Sequence, residues 1–87
     1  PFNKDSWFEP MVITIQAGGA SGHKPYAREA EQLAMVLQGS LELTLEDDVH
    51  ILKRGDAVGI PAGSRHCWRN ASRKPAQMLI VTAHRPH

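Results

Sequence analysis

The stretch Gly55–Asn70, GDAVGIPAGSRHCWRN, decides the fold of this 87-residue chain. Gly55 suits a turn ahead of a strand, where a positive φ is often needed. Pro61 fixes φ and Gly63 accepts a conformation that other residues avoid, so Pro61-Ala62-Gly63-Ser64 reads as a tight connection. It joins two short strands, Ala57 to Ile60 and Arg65 to Arg69. On the second of these, alternation puts His66 and Trp68 on one face and Cys67 on the other. Asn70 is placed to close the following turn with its side chain.

Working outward, the rest of the chain repeats this pattern of short strands and turns. Leu41-Glu42-Leu43-Thr44-Leu45-Glu46 alternates strictly, with three leucines on one face. Met11 to Gln16, Val49 to Lys53 and Met78 to Thr82 add further strands, separated by clusters such as Gln38-Gly39-Ser40 and Glu46-Asp47-Asp48. Tyr26 to Leu37 lacks a three-four apolar spacing and ends at Gly39, so no long helix is expected. Many short strands with a turn signal about every ten residues indicate an all-β sandwich or barrel. Residues 1–10, with Trp7 and Phe8 ahead of Pro10, read as an N-terminal arm, and 11–87 as the single barrel domain.

Composition narrows the function. A domain this small buries only about two-thirds of its unfolded surface, which favours self-association. No apolar run approaches the roughly 20 residues of a membrane span, and no secretory signal pattern is present. Ten Lys plus Arg stand against nine Asp plus Glu, a balance that argues against direct nucleic-acid binding by this segment. The single cysteine, Cys67, excludes an internal disulfide and fits a reducing, cytoplasmic location. Because the sequence starts at Pro1, it is expected to be part of a longer protein.

Gly55, Pro61, Gly63, His66 and Asn70 resemble the second motif of the cupin superfamily at every fixed position. The resemblance implies an antiparallel double-stranded β-helix, or jelly-roll barrel. It also implies a first motif upstream, with two histidines, a glutamate and a closing glycine. Anchored on Gly39, the histidine positions fall on Tyr26 and Arg28 and the glutamate position on Gln32. Of the four family metal ligands only His66 remains. A catalytic metal needs about three protein ligands, and a guanidinium stays protonated and cannot ligate. No metal and no cofactor are therefore expected, with His23 as the one substitute ligand nearby.

Two readings of these residues stay open. Tyr26, Arg28, Gln32 and His66 either hydrogen-bond one another as a decayed site, or line a small-molecule pocket at the barrel mouth. Taken as one extended segment, 26, 28 and 32 share a face with Ala34 and Val36, while Glu29 and Glu31 face out. Tyr26, Arg28, Gln32, His66 and Trp68 are the candidate ligand-binding residues, Trp68 serving also as core. Arg28 would favour an anion, most simply a carboxylate; Glu42 or Asp56 is the acid that could neutralise it. Met35 and Met78 read as core filler, and His50, His84 and His87 as surface.

Residues 11 to 83 also resemble the C-terminal effector-binding domains of bacterial helix-turn-helix transcriptional regulators. That implies a homodimer that binds a small effector and touches DNA only through a separate N-terminal domain. The arm or an edge strand would cross the dimer interface. The alternatives are a small cupin enzyme (an isomerase, dioxygenase or decarboxylase) and a dimerisation module without a ligand.

Overall fold

Alternating sequence gives alternating burial along four of the strands. The computed structural model describes residues 7–21, 26–27 and 30–84. Eight strands run β1 (Trp7–Ile15), β2 (Tyr26–Ala27), β3 (Gln32–Gln38), β4 (Ser40–Leu45), β5 (Asp48–Lys53), β6 (Ala57–Ile60), β7 (Arg65–Arg69) and β8 (Ala76–His84). They form two four-stranded sheets, ordered β1-β8-β3-β6 and β2-β7-β4-β5, with every pairing antiparallel. This is the all-β architecture that the strand pattern predicts and the jelly-roll barrel that the family resemblance implies, and no helix occurs among the described residues. None of them forms a helix long and apolar enough to cross a membrane.

The core lies between the sheets. Leu41 and Leu43 of β4 and Trp68 of β7 face Ala34, Val36, Met78 and Ile80 of β3 and β8, all of them buried. Each large apolar side chain so buried contributes about 1.5–3 kcal/mol relative to exposure. The turns that redirect the chain behave as their residues require. Gly55 and Gly63 take φ values of 90° and 82°, in the region that glycine enters without a steric penalty. Ser64 N donates to Pro61 O at 3.2 Å across the second turn.

Three expectations are revised. Tyr26–Leu37 is not one extended segment: β2 pairs with β7 in one sheet, and β3 pairs with β6 and β8 in the other. Parity cannot be carried across such a change of sheet, although within β3 it holds, with 32, 34 and 36 buried and 33, 35 and 37 exposed. Met35 is consequently on the outer face rather than in the core, whereas Met78 is buried. Finally, the aromatic stretch at the N-terminus is strand: Trp7–Pro10 continue β1 and pair with 81–84 of β8. There the Trp7 ring stacks on His84 at 4.9 Å, and His84 Nε2 lies 3.1 Å from Glu9 Oε1.

Candidate functional site

The inner face of β7 carries two buried groups capable of polar contact, His66 and Trp68. The Pro61–Ser64 turn sets their phase by delivering β7 with even-numbered residues inward. His66 is 1% exposed, and its Nδ1 lies 3.3 Å from the Ser64 carbonyl. Trp68 is held through its backbone: its N–H donates to Ser21 Oγ at 2.9 Å, and its carbonyl accepts from Ser21 N at 2.9 Å. The indole Nε1–H is different. It is fully buried and has no hydrogen-bond partner among the described residues. An indole donor in that state costs free energy unless an acceptor reaches it.

From the facing sheet, β3 supplies Gln32, which is 5% exposed. Its Nε2 donates to Thr82 Oγ1 at 3.0 Å, across the directly opposed pair Gln32 and Thr82 of β3 and β8. Tyr26 lies in register with His66 on β2, and Arg28 falls outside the described residues. Gln32, His66 and Trp68 are thus interior, the first two as the motif spacing predicts and Trp68 by alternation with His66. Neither acid considered as a neutraliser enters the barrel. Glu42 alternates with the buried Leu41 and Leu43, and Asp56 is exposed, with its Oδ2 accepting from Lys53 N at 2.8 Å.

The Cupin domain family matches residues 11–82. The chain belongs to the cupin family. Among known proteins, this cupin is 34% identical over 64 residues to quercetin 2,3-dioxygenase of Bacillus subtilis, covering 71% of this chain and 19% of the enzyme. It is 24% identical over 74 residues to mannose-1-phosphate guanylyltransferase of Escherichia coli, covering 85% of this chain and 15% of that protein. The cupin therefore spans about a fifth or less of these relatives. Among solved structures it superposes on TT1209 from Thermus thermophilus with a TM-score of 0.81 and 29% identity, covering 98% of this chain and 79% of that one. A sugar phosphate isomerase of the cupin superfamily from Silicibacter pomeroyi gives a TM-score of 0.78 at 28% identity, covering 91% and 51% of the two chains.

Among the described residues the donor set of this cupin does not fit the family's metal; His23, the substitute considered, lies outside them. The carboxylate position is a neutral amide, Gln32, whose N–H is engaged by Thr82. The two upstream histidine positions are Tyr26 and Arg28. Among the described residues no three His, Cys, Asp or Glu side chains come together. Two contributors escaped the sequence reading. Thr82, the partner of Gln32, was legible from its even parity with Met78 and Ile80 on β8. Ser21, which fixes the Trp68 backbone, gave no signal, because its loop pairs with β7 only in three dimensions.

Proposed function

We propose that this cupin is the small-molecule-sensing domain of a bacterial transcriptional regulator. It binds a small anionic effector inside the barrel, dimerises, and acts in the cytoplasm. One observation carries the reading: a buried indole donor without a partner among the described residues stands on the same strand face as buried His66. A strand face that offers a donor and an imidazole suits an acceptor-bearing ligand. Arg28, at a first-motif position, adds a cation. A guanidinium suits a carboxylate, which it can bind with bidentate geometry. The effector acts by population shift, favouring the dimer geometry it binds better. Calorimetric titration of metabolite acids and of amines tests this. An acid is the expected tightest ligand, with affinity falling at least about tenfold in Arg28→Ala, the equivalent of one lost charge-assisted hydrogen bond. A cationic tightest ligand, or an unchanged Arg28→Ala, contradicts it.

A second reading, a small cupin enzyme, is favoured by the likeness to an isomerase and a dioxygenase. Metal content separates the two. Elemental analysis of tag-free protein is expected to find far less than one transition metal per chain. A stoichiometric metal that disappears in His66→Ala supports the enzyme.

A further inference from the structure

Each sheet ends in two edge strands, and three of these edges carry a feature that blunts them. β1 contains Pro10, β2 is two residues long, and β6 is four residues long with Gly59 inside it. Short length, proline and interior glycine all weaken an edge as a template for pairing. β5 is the exception. It ends the β2-β7-β4-β5 sheet and runs six residues without proline, glycine or bulge. It also exposes Val49 at 61% and Ile51 at 55%.

The hairpin fixes which backbone groups face that edge. Leu45 and Asp48 flank a two-residue turn, so they exchange hydrogen bonds, and pairs along β4 and β5 alternate from there. Val49, Ile51 and Lys53 consequently turn their N–H and C=O away from β4. Lys53 agrees with this phase: its N–H donates to Asp56 Oδ2 at 2.8 Å, and its carbonyl accepts from Asp56 N at 2.8 Å. The turn after β5 thus occupies Lys53 and leaves Val49 and Ile51 as the open pairing positions. Among the described residues no strand pairs with them on that side.

Beside this edge lies a groove of about 230 Å³ bounded by Ile51, Glu42, Ser40 and Ser72. Glu42 stands directly opposite Ile51, with Arg69 opposite it on β7. Among the described residues Glu42 makes no ion pair, with Arg69 or any other cation, and no hydrogen bond. We infer that an extended segment of a partner protein adds to β5 as an antiparallel strand, carrying a lysine or arginine opposite Ile51. Strands lie about 4.8 Å apart, which puts Glu42 about 10 Å from the added backbone. The apolar stem of the lysine or arginine crosses Ile51 and brings its charged head to the carboxylate. Backbone bonds to Val49 and Ile51 supply affinity in such strand addition, and the alternate side chains supply specificity. A second copy of β5 fits less well. Because Lys53 is held by its own turn, two copies would set Val49 and Ile51 only against each other and leave Glu42 without a cation.

The test is a nuclear magnetic resonance titration with capped seven-residue peptides of alternating valine and threonine, their central residue lysine, norleucine or glutamate. The lysine peptide is expected to shift the amide signals of Val49 and Ile51 and to slow their hydrogen exchange. It is expected to bind about fivefold tighter than the norleucine peptide, the upper range for an exposed ion pair. Glu42→Gln is expected to erase that difference. Ile51→Pro removes an outward N–H, a place where an edge strand accepts proline. Its circular dichroism is expected to be unchanged and its affinity for the lysine peptide at least about tenfold weaker. Ile51→Lys, which supplies Glu42 with a cation from the chain itself, is expected to abolish the preference for lysine without relying on proline. Shifts confined to other strands, or equal affinity for all three peptides, overturn the inference. Concentration-dependent shifts at Val49 and Ile51 without peptide assign the edge to a second copy and overturn it as well.

Discussion

Asn70 and Trp68 lie two residues apart at the end of β7, both buried, yet their polar atoms are treated in opposite ways. Asn70 uses all of its capacity. Nδ2 donates to Ile15 O at 2.9 Å and to Lys74 O at 2.8 Å, and Oδ1 accepts from Ser72 N at 3.0 Å and Ser72 Oγ at 2.7 Å. One side chain thereby ties the end of β1 to the turn that leads into β8. Trp68 Nε1 has no acceptor among the described residues. A buried group with every bond made is structural, because any change leaves partners stranded. A buried donor with none among the described residues is open to an acceptor from outside them. The contrast separates the part of the motif that builds the barrel from the part that faces its contents.

The contrast is broken most severely at Asn70. Asn70→Ala takes a donor from the carbonyls of Ile15 and Lys74 and the acceptor from Ser72 N and Oγ, each loss costing on the order of 1 kcal/mol. A loss of about 3 kcal/mol is expected, lowering the midpoint of thermal unfolding by roughly 15 °C for a domain of this size. A shift of only two or three degrees would mean that water replaces the side chain and that the knot is not what closes the barrel.

A smaller effect is expected at Gln32, which lies between the two extremes because Thr82 occupies its amide. Gln32→Met leaves the buried Thr82 hydroxyl without its donor and is expected to cost about 1 kcal/mol. Adding Thr82→Val removes both partners and is expected to restore most of that loss, since exchanging a buried polar pair for apolar groups of similar shape is nearly neutral. Chemical denaturation of the two singles and the double measures the coupling. A double variant as unstable as the sum of the singles would show that Gln32 and Thr82 serve separate partners.

The fold was legible because alternation and turn chemistry are local. β6 and β7 lie where Gly55–Asn70 puts them, and β4 follows its three leucines. The interior placement of Gln32, His66 and Trp68 followed from motif spacing and strand parity together. What the sequence could not convey was the passage between sheets. Parity counted across β2 and β3 assumes one strand, and the chain changes sheet between them. The extent of β1 was hidden for a related reason. Trp7–Pro10 are exposed, so no inward alternation marks them, and only pairing with β8 makes them strand.

Trp68 is also the group that reports most directly on the barrel's contents. The chain has two tryptophans, and Trp7, exposed and stacked on His84, would mask the signal, so the measurement uses Trp7→Phe. Trp68 is then the single emitter, buried and without a hydrogen bond at Nε1 among the described residues, and its emission is expected at short wavelength. Titration with the metabolite acid that binds tightest is expected to move or quench that emission saturably, with the midpoint found by calorimetry, and Arg28→Ala is expected to shift the midpoint at least about tenfold. Emission unchanged through a titration that calorimetry shows to be saturating would place the ligand elsewhere and contradict an interior site beside Trp68.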